Sequence, residues 1–219
     1  MSKGRFKKST LVLSILFFGP LLFYVFLLTG TNNFARLPVL TETIQDVKGL
    51  DADDPDISFE NNISILCFLG NQPLAHKTNA LNLNEKIYKH FYGFKGFQFI
   101  VVLPESAREE AAQLKKELGA TYNVEQWHFL FMQPERVQQV FSSLETNYKL
   151  DPTGYSPYAF IIDRDMKLRG RNDDDEVEGG FRYGYNAESI STVHQEMVDD
   201  VKVVVAEDRL ALKKNKREI

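Results

Sequence analysis

Four runs of apolar residues stand out along the chain, each short and bounded by polar or turn-forming residues. Continuous apolar runs of this length are typical of strands that are buried on both faces of a sheet. The predicted strands cover residues 63–69, 97–103, 127–131 and 158–163. A further short strand over 166–170 is predicted to pair with the last of them across a tight Arg164–Asp165 turn.

Between these runs, apolar residues recur with the spacing of one face of a helix. Alternating strands and helices, followed by a hairpin and a final helix, predict an α/β fold with a central mixed sheet flanked by helices. The acidic run 173–178 is predicted as a solvated loop, with a calcium-binding loop as the alternative. The predicted helices cover residues 74–91, 108–118, 135–148 and 187–214, and the last has a buried stripe of Ile190, Val193, Met197, Val201 and Val204.

The N-terminal segment has a different pattern. Residues 1–10 form a basic stub, and residues 11–30 carry no charge and are almost wholly apolar. About 20 apolar residues suffice to cross a bilayer, and the preceding basic residues favour a cytoplasmic N-terminus. We therefore predict a transmembrane signal anchor over 11–30, for which a cleaved signal peptide is the alternative. Residues 31–62 are predicted as a tether with a hairpin that leads into the domain, and residues 63–219 as the domain.

Charge is distributed unevenly along the chain. Residues 1–36 carry five basic and no acidic residues, whereas the remainder carries 21 basic and 30 acidic residues. A domain this acidic is a poor nucleic-acid binder, because contacts to phosphate dominate that affinity. The chain has a single cysteine, Cys67, and therefore cannot form an intramolecular disulfide. We predict Cys67 to be an inert core residue because it lies in the middle of an apolar strand.

Four stretches of the chain resemble the Sco/SenC family of membrane-anchored, thioredoxin-fold proteins. The resemblance covers about residues 35–210 and depends more on order and spacing than on identities. The stretches are ISILCFLG (63–70), LPESAREEAAQL (103–114), WHFLF (127–131) and PYAFIID (157–163).

The resemblance implies a thioredoxin-like domain, but not the family's copper chemistry. Sco proteins bind copper through a Cys-x-x-x-Cys pair and a distal histidine, and they support assembly of a cytochrome oxidase copper centre. The cysteine pair would fall within 70–78, which reads GNQPLAHKT, and the histidine would fall at Tyr155. Soft thiolates are the ligands that Cu(I) prefers, so neither a catalytic residue nor a cofactor is predicted.

The same resemblance implies an interaction surface around the first strand-to-helix turn. Thioredoxin folds often carry a cis-proline that presents a backbone edge to partner peptides, and Pro157 is predicted to be that proline. His76 is a metal-ligand candidate if His90 and His128 converge on it; a surface histidine is the alternative. The predicted surface consists of Asn71, Gln72, Pro73, His76, Tyr155 and Pro157.

The leading expectation is a non-enzymatic, Sco-like accessory or scaffold protein in respiratory (cytochrome oxidase) biogenesis. Its partners would be membrane proteins such as oxidase subunits or assembly factors. We expect a single-pass protein of a Gram-negative inner membrane, with the N-terminus in the cytoplasm and the domain in the periplasm. The alternatives are a copper-handling protein with histidine ligands, and a degenerate thiol oxidoreductase that uses Cys67 with an external thiol.

Overall fold

A computed structural model describes residues 8–29 and 36–215, and the chain divides into two compact units, 1–35 and 36–219. In the first unit, helix α1 (Lys8–Thr29) contains Pro20, and its apolar side chains between Val12 and Phe26 are largely exposed. Within the described ranges, no helix combines the length and hydropathy needed to cross a membrane. The predicted anchor over 11–30 therefore finds no support here, and residues 1–7 and 30 lie outside the described residues.

The second unit alternates strands and helices in the predicted order. A π-helical segment (Asn84–Tyr88) follows the helix Lys77–Leu83, and another (Thr192–Met197) leads into the last helix, Val198–Asn215. The strands are β1 (Val39–Thr41), β2 (Ile63–Leu69), β3 (Phe97–Pro104), β4 (Trp127–Met132), β5 (Tyr155–Ile162), β6 (Leu168–Arg169) and β7 (Tyr185–Asn186). The helices are α2 (Lys77–Leu83), α3 (Lys89–Phe91), α4 (Arg108–Gly119), α5 (Pro134–Ser142) and α6 (Val198–Asn215).

The strands form one mixed sheet in the order β1-β6-β5-β2-β3-β4, with β7 paired to β5. Strands β2, β3 and β4 are parallel, and β5 runs antiparallel to β2. The predicted hairpin within 31–62 is wrong over its described part, because Val39 of β1 pairs with Arg169 of β6 instead. The chain before β2 thus belongs to the domain.

The core lies on both faces of the sheet. Every residue of β2 and β3 is buried, as their continuous apolar runs predict. Ile65 and Cys67 of β2 face the cluster that includes residues of α2, α4 and α6, whereas Leu66 and Phe68 face the cluster with α5. The alternation follows from the two-residue period of a strand.

Three predicted details of the helices change. The first helix begins at Lys77 rather than at residue 74, and α5 ends at Ser142 instead of continuing to residue 148. The shorter α5 has a backbone cause, since Glu145 adopts a positive φ of 53° that a right-handed helix excludes. Ile190 is 55% exposed and is not part of the buried stripe, whose other four members are buried.

The acidic run 173–178 is not simply a solvated loop. Asp174 is buried and forms an ion pair with Arg182, whose guanidinium is also buried. Arg171 forms a second ion pair, with Asp200 of α6, at 2.7 Å. A buried carboxylate requires such a partner, so these contacts hold the loop against the last helix.

Candidate functional site

The candidate site lies at one edge of the sheet, where the three parallel strands β2, β3 and β4 end. Parallel strands of an α/β sheet have their carboxyl ends at the same edge, and ligands bind there preferentially. The turn after β2 leads into α2 and contains the residues predicted as an interaction surface. Strand β5 starts at this same edge, because Tyr155 pairs with Leu69 at the end of β2.

The turn after β2 is fixed by its neighbours. Gly70 has a φ of 70°, and a Cβ there would stand 2.8 Å from Thr153 Oγ1, so a side chain is excluded. The Asn71 N–H donates to the Thr153 carbonyl at 3.1 Å. Asn71 and Gln72 are exposed, whereas Pro73 is buried. The turn therefore presents two polar side chains on a restrained backbone.

His76 and Tyr155, two members of the predicted surface, are in direct contact. Their rings stack with centroids 3.5 Å apart and an interplanar angle of 9°. The Tyr155 hydroxyl accepts a hydrogen bond from Asn79 Nδ2 at 3.0 Å and donates one to Glu188 Oε1 at 2.6 Å. Burial and the hydrogen bond to Glu188 raise the pKa of Tyr155 above its ordinary value. The phenol therefore stays protonated and acts as a fixed donor.

Asp151 is a site residue that is not part of the surface predicted from the sequence. Its Oδ1 accepts hydrogen bonds from Thr153 N (2.8 Å), Thr153 Oγ1 (2.6 Å) and Tyr155 N (2.9 Å). Burial raises the pKa of this carboxyl, but the hydrogen bonds from Thr153 and Tyr155 outweigh that effect and lower it below its ordinary value. The signal was present in the sequence, since Asp-Pro-Thr-Gly over 151–154 is a turn composition in which the Asp side chain bonds to its own backbone.

Cys67 lies in the interior, away from this edge. It is 4% exposed, and the prediction that it is a core residue is confirmed. Burial raises the pKa of the thiol from 9.0 to about 12. A nucleophilic or metal-binding cysteine needs a thiolate, which this environment suppresses.

His90 and His128 do not form a metal site with His76. His90 is exposed on α3, at the far end of the helical stretch that starts after His76, about 20 Å away at 1.5 Å per residue. His128 is on β4, where burial lowers its pKa. Across the described chain, no cluster of three or more His, Cys, Asp or Glu side chains could hold a metal ion.

The predicted cis-proline at Pro157 is wrong, because the described backbone contains no cis peptide bond. Pro157 lies inside β5 rather than before it, at an irregularity in the pairing with β2. The partners of Leu66 and Phe68 are Phe160 and Ser156, so residues 157–159 of β5 stand opposite a single residue of β2. Such an irregularity accommodates a residue that has no N–H to donate. The Pro157 carbonyl accepts a hydrogen bond from Ala187 N at 2.8 Å, so β7 and the residue after it occupy the backbone edge predicted for a partner.

Comparison with known proteins supports the fold. No model of a known protein family matches the chain, and no curated protein sequence matches it. A candidate protein disulfide isomerase from Bacteroides thetaiotaomicron has a similar solution structure (TM-score 0.51, 14% identity, covering 81% of this chain and 98% of the other). The chain has a thioredoxin-like fold. At this identity the similarity shows the fold alone.

Two further solved structures are more distant. The thioredoxin domain of a thiol-disulfide oxidoreductase from Bacteroides vulgatus has a TM-score of 0.44 and 16% identity, covering 72% of this chain and 98% of the other. Copper-bound ScoI from Bradyrhizobium japonicum has a TM-score of 0.38 and 13% identity, covering 78% and 99%. Scores this low carry no argument about function, and the Sco-type resemblance stays a prediction from sequence.

We predict that the Cys67 thiol is protected from alkylation. A pKa raised from 9.0 to about 12 lowers the thiolate fraction at neutral pH by roughly a thousandfold. A maleimide should therefore label the native protein at pH 7 at least about tenfold more slowly than the urea-unfolded protein, since part of the loss in thiolate is offset by the higher nucleophilicity of a high-pKa thiolate. Equal rates in the two states would contradict the buried position.

We predict that Tyr155→Phe destabilises the domain by about 1–2 kcal/mol, because the buried Asn79 amide loses its acceptor. The phenyl ring still stacks on His76, so the loss isolates the hydroxyl. Tyr92→Phe is the matched control, since Tyr92 is 50% exposed, and it should change the unfolding free energy by less than about 0.5 kcal/mol. Urea denaturation of both variants measures the difference; equal values would mean that the Tyr155 hydroxyl is dispensable.

Proposed function

We propose that this chain is a non-catalytic thioredoxin-fold protein that binds a partner protein through the turn after β2. The observation that carries the proposal is the replacement of the fold's usual thiol position by a restrained, exposed Asn71–Gln72 turn. The only thiol, Cys67, is buried and protonated. Thiol-disulfide exchange requires an accessible thiolate, so binding is the function that this surface supports best.

The proposed binding surface consists of Asn71, Gln72, His76 and Tyr155. The first two side chains are exposed, and the second two form the stacked pair beside them. Hydrogen bonds to Thr153, Asn79 and Glu188 restrain this surface, which lowers the entropy cost of binding. Pro73 is buried and supports the turn from below.

The sequence resemblance suggests which process the partner belongs to. We propose an accessory or scaffold role in cytochrome oxidase biogenesis, with an oxidase subunit or assembly factor as partner. This assignment depends on a likeness of sequence order to Sco proteins and is therefore associational. The proposed role differs from copper delivery, because this chain lacks the cysteine pair of Sco proteins and has Tyr155 at the position of their histidine.

We predict that Gln72→Arg abolishes the function of this surface without unfolding the domain. A large charged side chain at an exposed turn obstructs a docked partner but changes stability by less than about 0.5 kcal/mol. The measurement is cytochrome oxidase activity of membranes from cells that lack the native gene and carry each variant. Wild type and Cys67→Ala should restore activity, whereas Gln72→Arg should not.

The matched control is Gln195→Arg, which places the same charge on an exposed residue of the segment that precedes α6. It should restore activity like the wild type. Loss of activity in Cys67→Ala, with the protein still folded, would show a thiol function and overturn the proposal. Unchanged oxidase activity in the deletion strain would overturn the oxidase assignment.

We also propose that the N-terminal apolar segment holds the domain at a bacterial inner membrane, with the domain in the periplasm. The support comes from the sequence, in which a basic stub precedes a long uncharged and largely apolar run. The full chain should remain in the membrane fraction after alkaline carbonate washing. Its release into the supernatant would contradict membrane anchoring.

A further inference from the structure

A cleft of about 310 Å³ lies beside the Asn71 turn, at the carboxyl ends of the parallel strands. Its walls come from the end of β3, the start of α5 and the loop before β5. The residues that line it include Pro104, Val137, Pro152 and Asp151. Asn71, which belongs to the turn after β2, also lines the cleft. A volume at the lower end of the range for ligand sites suits a single long side chain or a short segment.

Asp151 is the one charged residue among those lining the cleft. All three described hydrogen bonds of its carboxylate are to Oδ1, and all come from uncharged donors in Thr153 and Tyr155. Among the ion pairs of the described residues, none includes Asp151. The cleft therefore contains a carboxylate that has no arginine or lysine partner among the described residues, and His76 is the cation-forming side chain that acts on its pKa.

The chemistry of the walls favours a basic side chain over an inorganic cation. Calcium and magnesium require six or more oxygen ligands in a defined geometry, and the cleft offers one carboxylate. Lysine and arginine bury an aliphatic stem against apolar surface and keep the charged head for a polar partner. Pro104, Val137 and Pro152 supply such an apolar surface next to Asp151.

We propose that the cleft takes a lysine or arginine side chain of the partner segment that docks on the Asn71–Gln72 turn. The stem lies against Pro104 and Val137, and the cationic head binds Asp151 Oδ2. The inference rests on the proposed binding function, and Asn71, which belongs to both the turn and the cleft, connects them. Charge complementarity then selects partners that carry a basic residue at this point of the docked segment.

The test titrates the full chain, in detergent micelles, with capped tripeptides and follows its ¹⁵N-labelled amide resonances. The probes are acetyl-Gly-Arg-Gly-amide and the uncharged acetyl-Gly-Gln-Gly-amide. The arginine peptide should shift the amides of Val137, Thr153 and Gly154 saturably and bind about two- to fivefold more tightly than the glutamine peptide. Asp151→Asn should abolish that preference while retaining the Oδ1 acceptor of the loop.

Asp175→Asn is the matched control, since it removes the same charge from an exposed residue of the acidic loop. It should leave the preference for arginine unchanged. The inference is overturned if both peptides bind equally, if Asp151→Asn keeps the preference, or if no cleft amide shifts. If the peptide test fails while Gln72→Arg still abolishes oxidase activity, the cleft assignment is wrong and the proposed binding surface is not affected. If Gln72→Arg restores oxidase activity, the proposed binding surface itself is wrong.

Discussion

The structure depends above all on the complete burial of strand β2 between two cores. All seven residues of β2 are buried, with β3 on one side and β5 on the other. A strand in this position has no solvent-facing side chain, so any chemistry must come from the loops at its ends. Burial of the strand makes Cys67 unreactive. The same strand ends just before Gly70 and Asn71, which therefore lie at the edge of the sheet.

The candidate site is organised by hydrogen bonds between the two strand ends that meet there. Asn71 binds the carbonyl of Thr153, and Tyr155 connects Asn79 of α2 to Glu188 after β7. Asp151 closes the loop between them. The contacts of Asp151 are local, but those of Asn71 and Tyr155 join residues far apart in sequence. The geometry of the surface is therefore a property of the folded domain rather than of the turn itself.

The sequence predicts the parts of this fold that depend on local patterns. The four apolar runs became β2, β3, β4 and β5 because burial on both faces requires continuous apolar residues. Local patterns do not predict the pairing of β1 with β6, because Val39 and Arg169 are far apart in sequence and meet only in the folded domain. Pro157 was misjudged for a related reason: its position inside β5 depends on how β5 pairs with β2, where residues 157–159 stand opposite the single residue Cys67.

The environments of the carboxylates also depend on tertiary contacts that the local sequence does not predict. The acidic run 173–178 predicts a solvated loop by composition, yet Asp174 is buried because Arg182 returns to it across the loop. Asp163 and Asp200 likewise meet Arg169 and Arg171. These are structural carboxylates, since an unpaired buried charge would be costly.

Asp151 differs from those three carboxylates in both exposure and partners. It is exposed at the cleft, and the bonds that fix it come from uncharged donors, so its negative charge is oriented but not neutralised. The hydrogen bonds from Thr153 and Tyr155 favour the charged form of Asp151, since they lower its pKa. The charged carboxylate lines a cleft whose apolar walls match the stem of a basic side chain. The proposed binding of a basic side chain at Asp151 would give a domain whose one cysteine is buried a means of selecting a partner through charge.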